Sequence, residues 1–306
     1  MRYIIFSILL FFVNSLLAQE LRYEVEVEDL YNESIGPVEI RTAYMTEENS
    51  TIFSAYNKTK APVYIYLSFD EVSRLSFHEE QPFVRRLDKG LNDLFTLEQS
   101  RENGIPRFPY SVKIYKSNPL ADVDLEFPYL IPLQPGKNVQ VVDITSLNTL
   151  GTNKKHQAFL ATGFKVSTGD AIFAARTGEV VEIAGRKRTN KSANWYNKWT
   201  NCVTVLQADG TLICYKNCKT KKLQLGQKIY AGQQIGEVVD GSEPLILVIY
   251  HDLLTEKFPR FIIPQFATSE RKVEVLISSG TYTVIHPDDI KAMEMTRRER
   301  KKYIYH

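Results

Sequence analysis

Apolar and polar residues alternate with a period of two through much of the first half of the chain. RYEVEVED (22–29), VEIRTAYMT (38–46), TIFSAYN (51–57) and PVYIYLSF (62–69) each put their apolar side chains on one face, the mark of a half-buried β-strand. Asn57-Lys58-Thr59-Lys60, between the last two runs, reads as a tight connection within a hairpin. Runs at 112–115 and 139–144 add strands, separated by bends at Pro119, Pro128, Pro132 and Pro135. Residues 79–103 break the pattern: Leu87, Leu91, Leu94 and Phe95 recur at helical spacing among charges, which predicts a short helix or an insertion.

The second half is β-rich in a different way. GFKVSTGDAIFAARTG (163–178) is followed by a predicted hairpin over 202–216, with Ala208-Asp209-Gly210 at its turn. GQKIYAGQQIG (226–236) supplies two Gly-Gln turns, LILVIY (245–250) reads as a fully buried strand, and 253–285 gives two more strands. Turn formers and charge at 146–158 mark the seam between the two halves. From 287 to 303, PDDIKAMEMTRRERKKY predicts one helix. Pro287 stands at its first position, Asp288 and Asp289 at its positive end, and the basic run 297–302 at its negative end. The expected class is therefore all-β: a leader at 1–18, an N-terminal β-sandwich over 19–145, a linker at 146–158, a second β domain over 159–285 and a short C-terminal helix within 286–306.

The leader reading rests on MRYIIFSILLFFVNSLLAQE, in which one Arg precedes an apolar stretch that ends at Leu16-Leu17-Ala18. This is a secretory signal pattern with cleavage after Ala18. The residue after that point is Gln19 and not Cys, and no later segment is long and apolar enough to span a bilayer, so neither a lipid anchor nor a transmembrane segment is expected after cleavage. Removing Arg2 with the leader lowers the formal net charge from +2 to +1. That balance gives no support to nucleic-acid binding.

The candidate chemistry is sparse. Cys202, Cys214 and Cys218 allow one disulfide in an oxidising compartment. Cys202 with Cys214, on the two arms of the predicted hairpin, is the candidate pair; the alternative is three small buried apolar residues. The five histidines form no H-x-H or H-x-x-x-H pair. Serines lack a G-x-S-x-G elbow, and no Gly-rich loop is followed by Lys-Ser/Thr. The most unusual surface signal is RKRTNKSANWYNKW, in which Arg186 and Arg188 with neighbouring lysines surround Trp195, Tyr196 and Trp199. Such a loop offers aromatic anchors and positive charge to an acidic or peptide ligand; its alternative is a solvated loop whose tryptophans cap the sheet.

The tracts 163–178, DGTLICY (209–215), 226–236 and PLILVIY (244–250) resemble, in order and spacing, the lysostaphin-like (M23, LytM-type) peptidase domain. The resemblance implies a duplicated-hybrid-motif-like β fold. The first half also resembles the small β-sandwich that precedes LytM-type domains in Gram-negative envelope proteins. In the family, zinc is held by the His and Asp of H-x-x-x-D and by the second His of H-x-H, with two helper histidines. Those ligand positions fall on Phe159, Gly163 and Leu247, and the helpers on Asn217 and Leu245. Phe, Gly and Leu offer no lone pair for a site that needs three ligands and an open position. The expectation is a degenerate member with no zinc or other cofactor. The resemblance implies a periplasmic or secreted, non-catalytic role, binding peptidoglycan peptide or an envelope protein such as an amidase or secretion machinery. The alternatives are an active endopeptidase with a metal site relocated to His156, His251 and Asp170, or a structural subunit of an envelope complex.

Overall fold

The computed structural model describes residues 27–29, 38–45, 50–69, 75–76, 79, 82–99, 110–142, 144, 160–185, 201–220, 222–254 and 259–304. The leader (1–18), the linker (146–158), Phe159 and the loop 186–200 lie outside the described residues. Contacts divide the chain into two compact units at Ile114–Tyr115.

The first unit is the expected β-sandwich. One four-stranded sheet runs in the order Val27–Asp29, Tyr110–Tyr115, Val63–Phe69, Phe83–Leu87, and the other Val38–Met45, Ser50–Asn57, Gly90–Gln99, Leu75–Ser76. Alternation delivers Ile65, Leu67, Phe83, Leu87 and Val112 from the first sheet, and Phe53, Ala55, Leu94, Phe95 and Leu97 from the second, into one core. Two expectations are corrected. Ser50–Asn57 and Val63–Phe69 belong to different sheets, so 57–60 is a crossover and not a hairpin turn. Asn57 fastens it: its Nδ2 donates to the carbonyls of Ala61 (2.9 Å) and Leu87 (3.2 Å), and its Oδ1 accepts from Thr59 N–H (2.9 Å). The stretch 79–103 contains no helix among its described residues; it holds the strands Phe83–Leu87 and Gly90–Gln99. The register shifts between Phe53 and Ser54, pairing Phe53 with Phe95 and Ser54 with Asp93. Leu94 is thereby the extra residue of a bulge, and Leu94 and Phe95 both turn inward. Two adjacent buried residues after a buried Leu87 imitate helical spacing.

The second unit begins upstream of the expected seam. Asn138–Val142 pairs with Thr162–Phe164 on one side and Thr281–Thr283 on the other. Tyr129, Leu130, Ile131 and Leu133 are buried with it. Residues 115–142 thus pack with the C-terminal half. Their prolines and turns are readable in the sequence, but the partner of an isolated strand is set by long-range pairing.

The central sheet of this unit runs in the order Lys228–Ile229, Gly178–Ala184, Cys202–Leu206, Leu212–Lys216, Leu245–His251, Thr162–Phe164, Asn138–Val142, Thr281–Thr283, with Arg260–Ile262 also against Leu245–His251. Leu245–His251 is buried at every position, as a strand with neighbours on both edges and layers on both faces requires. The predicted C-terminal helix is two short ones, Asp288–Ala292 and Arg297–Tyr303. The restart is encoded by a capping box: Thr296 Oγ1 accepts from Glu299 N–H, and the Glu299 carboxylate accepts from Thr296 N–H. No helix among the described residues is long and apolar enough to cross a membrane.

Candidate functional site

Among the described residues, the positions that the resemblance implies have lost a zinc ligand or a helper histidine lie on or beside the strand Leu245–His251. Leu247 stands opposite Tyr215 on one neighbour and Thr162 on the other, and Leu245 opposite Phe164. Directly opposed residues share a face, so Leu245, Leu247, Tyr215 and Phe164 form one apolar surface. Leu245 and Leu247 are 0% and 1% exposed. The same cluster includes Tyr129 and Phe266, and Phe266 meets the Phe164 ring edge-on at 5.9 Å. Tyr215 is anchored there by accepting the Ala175 N–H (2.8 Å), and burial pushes its phenol pKa up.

Gly163 does not join this surface. It pairs with Ile246 and Val142, which puts it on the opposite face from the two leucines. A Cβ on Gly163 would come within 2.7 Å of Ile144 Cγ2 and 3.2 Å of the Val142 carbonyl. The close passage of 142–144 therefore requires glycine at 163 and leaves no room for an aspartate. The structure brings Leu245 and Leu247 together and separates Gly163 from them.

Asn217 has become a structural clamp. It is buried, with φ of 68°, a left-handed conformation that Asn tolerates better than most residues. Its Nδ2 donates to the carbonyls of Asp240 (2.7 Å) and Glu243 (3.0 Å), while its Oδ1 accepts from Asp240 N–H (3.0 Å). These bonds close the turn that feeds Leu245 into the central strand. Asn217→Ala is expected to cost about 2–3 kcal/mol in urea unfolding, combining lost hydrogen bonds with αL strain. Asn217→Gly should recover about 1 kcal/mol of that by relieving the strain alone. Equal stability of Ala and Gly variants would show that backbone strain is not part of the role.

A zinc ion does not fit this donor set. Leucine and glycine have no donor atoms, both ends of the Asn217 amide are engaged, and Gly163 faces away from Leu247. Among the described residues, no group of three or more His, Cys, Asp or Glu side chains could hold a metal. The residues weighed for a relocated site have other work. His251 is buried with Nε2 at 2.9 Å from the Asn118 carbonyl. Asp170 pairs with Lys137 and accepts from Ser167 N–H (2.7 Å), and these partners hold its carboxyl below the usual range against the opposing effect of burial. His156 lies outside the described residues.

The cysteine expectation changes in detail. All three are buried thiols and no disulfide is formed. Cys202 faces Lys216 and Cys214 faces Thr204, so the expected pair is diagonal across the hairpin rather than directly opposite. Burial raises the Cys214 thiol well above its ordinary value, helped by a hydrogen bond with Cys202, and pushes Cys218 up to about 12. Protonated, inaccessible thiols are poor nucleophiles.

Arg186, Arg188, Trp195, Tyr196 and Trp199 fall in the loop outside the described residues, but its two ends are placed. Gly185 and Asn201 close it through Asn201 N–H to the Gly185 carbonyl (3.4 Å), and the Asn201 carbonyl accepts from Cys218 N–H (2.8 Å). The loop therefore springs from beside the Asn217 turn.

No local sequence signal marks the buried ionic network at Arg176. This side chain is 3% exposed and lies over the Phe127 ring, with its guanidinium carbon 3.5 Å from the centroid. Nη1 donates to Asp209 (2.8 Å), while Nε and Nη2 donate to Glu294 (3.1 and 2.8 Å). Burial disfavours the charge on Arg176, but Glu294 more than offsets it and the pKa rises. Asp209 is also disfavoured by burial yet is held below its ordinary value by Arg176, while burial keeps Glu294 above its own. The partners stand 33 and 118 residues from Arg176 in the chain, beyond the reach of any local signal.

Residues 159–245 match the model of peptidase family M23, so this part of the chain is an M23, LytM-type domain. No curated protein matches the chain. Among solved structures it is similar to a putative glycyl-glycine endopeptidase LytM from Ruminococcus gnavus, at 16% identity and TM-score 0.29, over 45% of this chain and 56% of that one. The chain thus spans little more than half of that protein. It is also similar to Csd3 of Helicobacter pylori, at 12% identity and TM-score 0.32, over 87% of this chain and 77% of that one. A third similarity is to pseudoalterin, an M23 metalloprotease described as from the deep sea, at 11% identity and TM-score 0.29, over 53% of this chain and 97% of that one.

Proposed function

We propose that this M23-type domain is a non-catalytic binding module of the Gram-negative periplasm or cell surface that holds a cell-wall peptide or an envelope protein partner such as an amidase or secretion component. The observation that carries the reading is the reuse of the former site. Leu245 and Leu247 are core residues, Gly163 is packed under Ile144, and Asn217 clamps a turn. Each position now stabilises the fold in a way that the family's zinc ligand or helper histidine at the same place would disrupt. The lost chemistry leaves the basic aromatic loop beside Asn217 as the feature suited to binding. Trp195 and Trp199 provide large apolar area, and Arg186 and Arg188 attract the carboxylates of stem peptides.

The test is a pull-down of purified full-length protein on isolated sacculi and on envelope extract, with metal analysis and a stem-peptide cleavage assay on the same preparation. Retention without cleavage, with well under one zinc per chain, is the expected result. Replacing Trp195 and Trp199 with Ala should weaken retention by at least about 2 kcal/mol if they anchor the ligand. Chelator-sensitive cleavage with stoichiometric zinc would overturn the reading in favour of a relocated site, with His156 and His251 the first residues to replace.

A further inference from the structure

The helix Arg297–Tyr303 presents a run of cations to solvent. Arg297, Arg298, Arg300, Lys301 and Lys302 are all exposed. Residues 297–302 carry five cations and one anion, a net +4, whereas the whole chain is only +2. Everything else together is therefore −2, so the positive charge is concentrated in this run.

Helix stability accounts for only part of this run: Arg300, Lys301 and Lys302 lie in the last turn, at the negative end of the dipole, but Arg297 and Arg298 do not. In a single helix from 287 to 303 these cations would all sit at the negative end of the dipole. The structure starts a new helix at Arg297, which puts Arg297 and Arg298 at its positive end, where cations are unfavourable. Of the five, Arg300 helps to hold the helix, its Nε donating to the Met295 carbonyl (3.1 Å), and the other four are not used in docking. At about 100° per residue, the five cations cover an arc of about 200°, and Glu299 and Tyr303 occupy the remaining side. That remaining side is the docked one. Glu299 accepts from Lys228 Nζ (2.7 Å) and Tyr230 O–H (2.8 Å), and the Tyr303 ring packs on Tyr230 at a tilt of 31° with centroids 4.3 Å apart. Lys228 above all, with the Thr296 N–H and Tyr230, holds the Glu299 carboxyl at about 2, so it stays ionised and committed to this contact. Arg297, Arg298, Lys301 and Lys302 make no ion pair among the described residues.

We propose that this helix is an electrostatic docking face for an anionic phospholipid surface. A convex cationic arc with no groove does not select one extended peptide. It does match a flat, laterally mobile array of phosphates, each of which can move to meet a cation. This inference is independent of the wall-peptide reading.

The experiment is co-sedimentation of the full chain with phosphatidylcholine vesicles, and with vesicles that also contain phosphatidylglycerol, across a salt series. Binding to the anionic vesicles alone, falling with salt, is expected. Replacing Arg297, Arg298, Lys301 and Lys302 together with Gln should weaken it by at least about a hundredfold. The charge-keeping set Arg297→Lys, Arg298→Lys, Lys301→Arg and Lys302→Arg should retain it. Unchanged urea unfolding of the Gln variant separates lost binding from lost structure; if that variant unfolds, the salt series and the charge-keeping set decide. Equal binding to neutral vesicles, binding indifferent to the four substitutions, or binding to soluble polyglutamate but not to vesicles would each overturn the proposal.

Discussion

Placing histidine at both 245 and 247 should unfold the second unit and should not create a zinc site. Both leucines are essentially without solvent contact, in the central strand of the sheet. Each replacement removes an apolar side chain from a close-packed cluster, a loss of about 2–5 kcal/mol for comparable truncations. It also buries an imidazole among Phe164, Tyr215 and Phe266, costing about 1–3 kcal/mol more if its nitrogens find no partner. Two such changes approach or exceed the whole stability of an ordinary domain, about 5–15 kcal/mol. Zinc binding does not offset the loss, because a third ligand is absent and Gly163 faces the other way. Urea unfolding followed by circular dichroism, with zinc quantified in the folded fraction, checks both halves. A folded double variant carrying one zinc per chain would show that the apolar cluster is a reversible filling of a working site.

Arg176→Met should destabilise the protein by about 3–5 kcal/mol, because it strands the Asp209 and Glu294 carboxylates in a buried setting. The same physics predicts that the network as a whole contributes little compared with an apolar replacement. Arg176→Met combined with Asp209→Asn and Glu294→Gln should therefore recover much of the loss. The single-variant penalty should change little between low and high salt, since screening acts mainly on exposed charges. A loss under about 1 kcal/mol, or one that salt removes, would mean that the ion pairs are solvated and the contact with Phe127 does the holding.

Both predictions turn on residues that the sequence treats very differently. Leu245 and Leu247 were legible in full: a run of six apolar residues can only be a strand covered on both faces, and the Gly-Gln turns before it fix its place in an M23-type order. The capping box at Thr296 and Glu299 was equally present in the sequence but was masked by the larger charge pattern around it. Arg176 was not legible. Nothing near it marks it as buried, and its two carboxylates come from a hairpin tip and from the segment between the two terminal helices. The helical spacing in 79–103 misled for a definite reason: a bulge can turn two consecutive residues inward, and only pairing with the neighbouring strand reveals it.

Alternation and turn residues by themselves determined that the chain is all-β, and the order of its glycine and apolar tracts carried the resemblance to M23 domains, which implied that the family's ligand positions fall on Phe159, Gly163 and Leu247. These are local or same-strand properties, fixed by periodicity and by side-chain chemistry at single positions. Tertiary structure alone decided that 115–142 belongs with the second unit, and that Gly163 and Leu247 face opposite sides of the sheet. It also decided that Asn217 clamps a turn and that Arg176 is buried between distant carboxylates. Each depends on which strand lies beside which, and in what register. A register shift of one residue reverses the face of every side chain while leaving the apolar pattern of each strand unchanged.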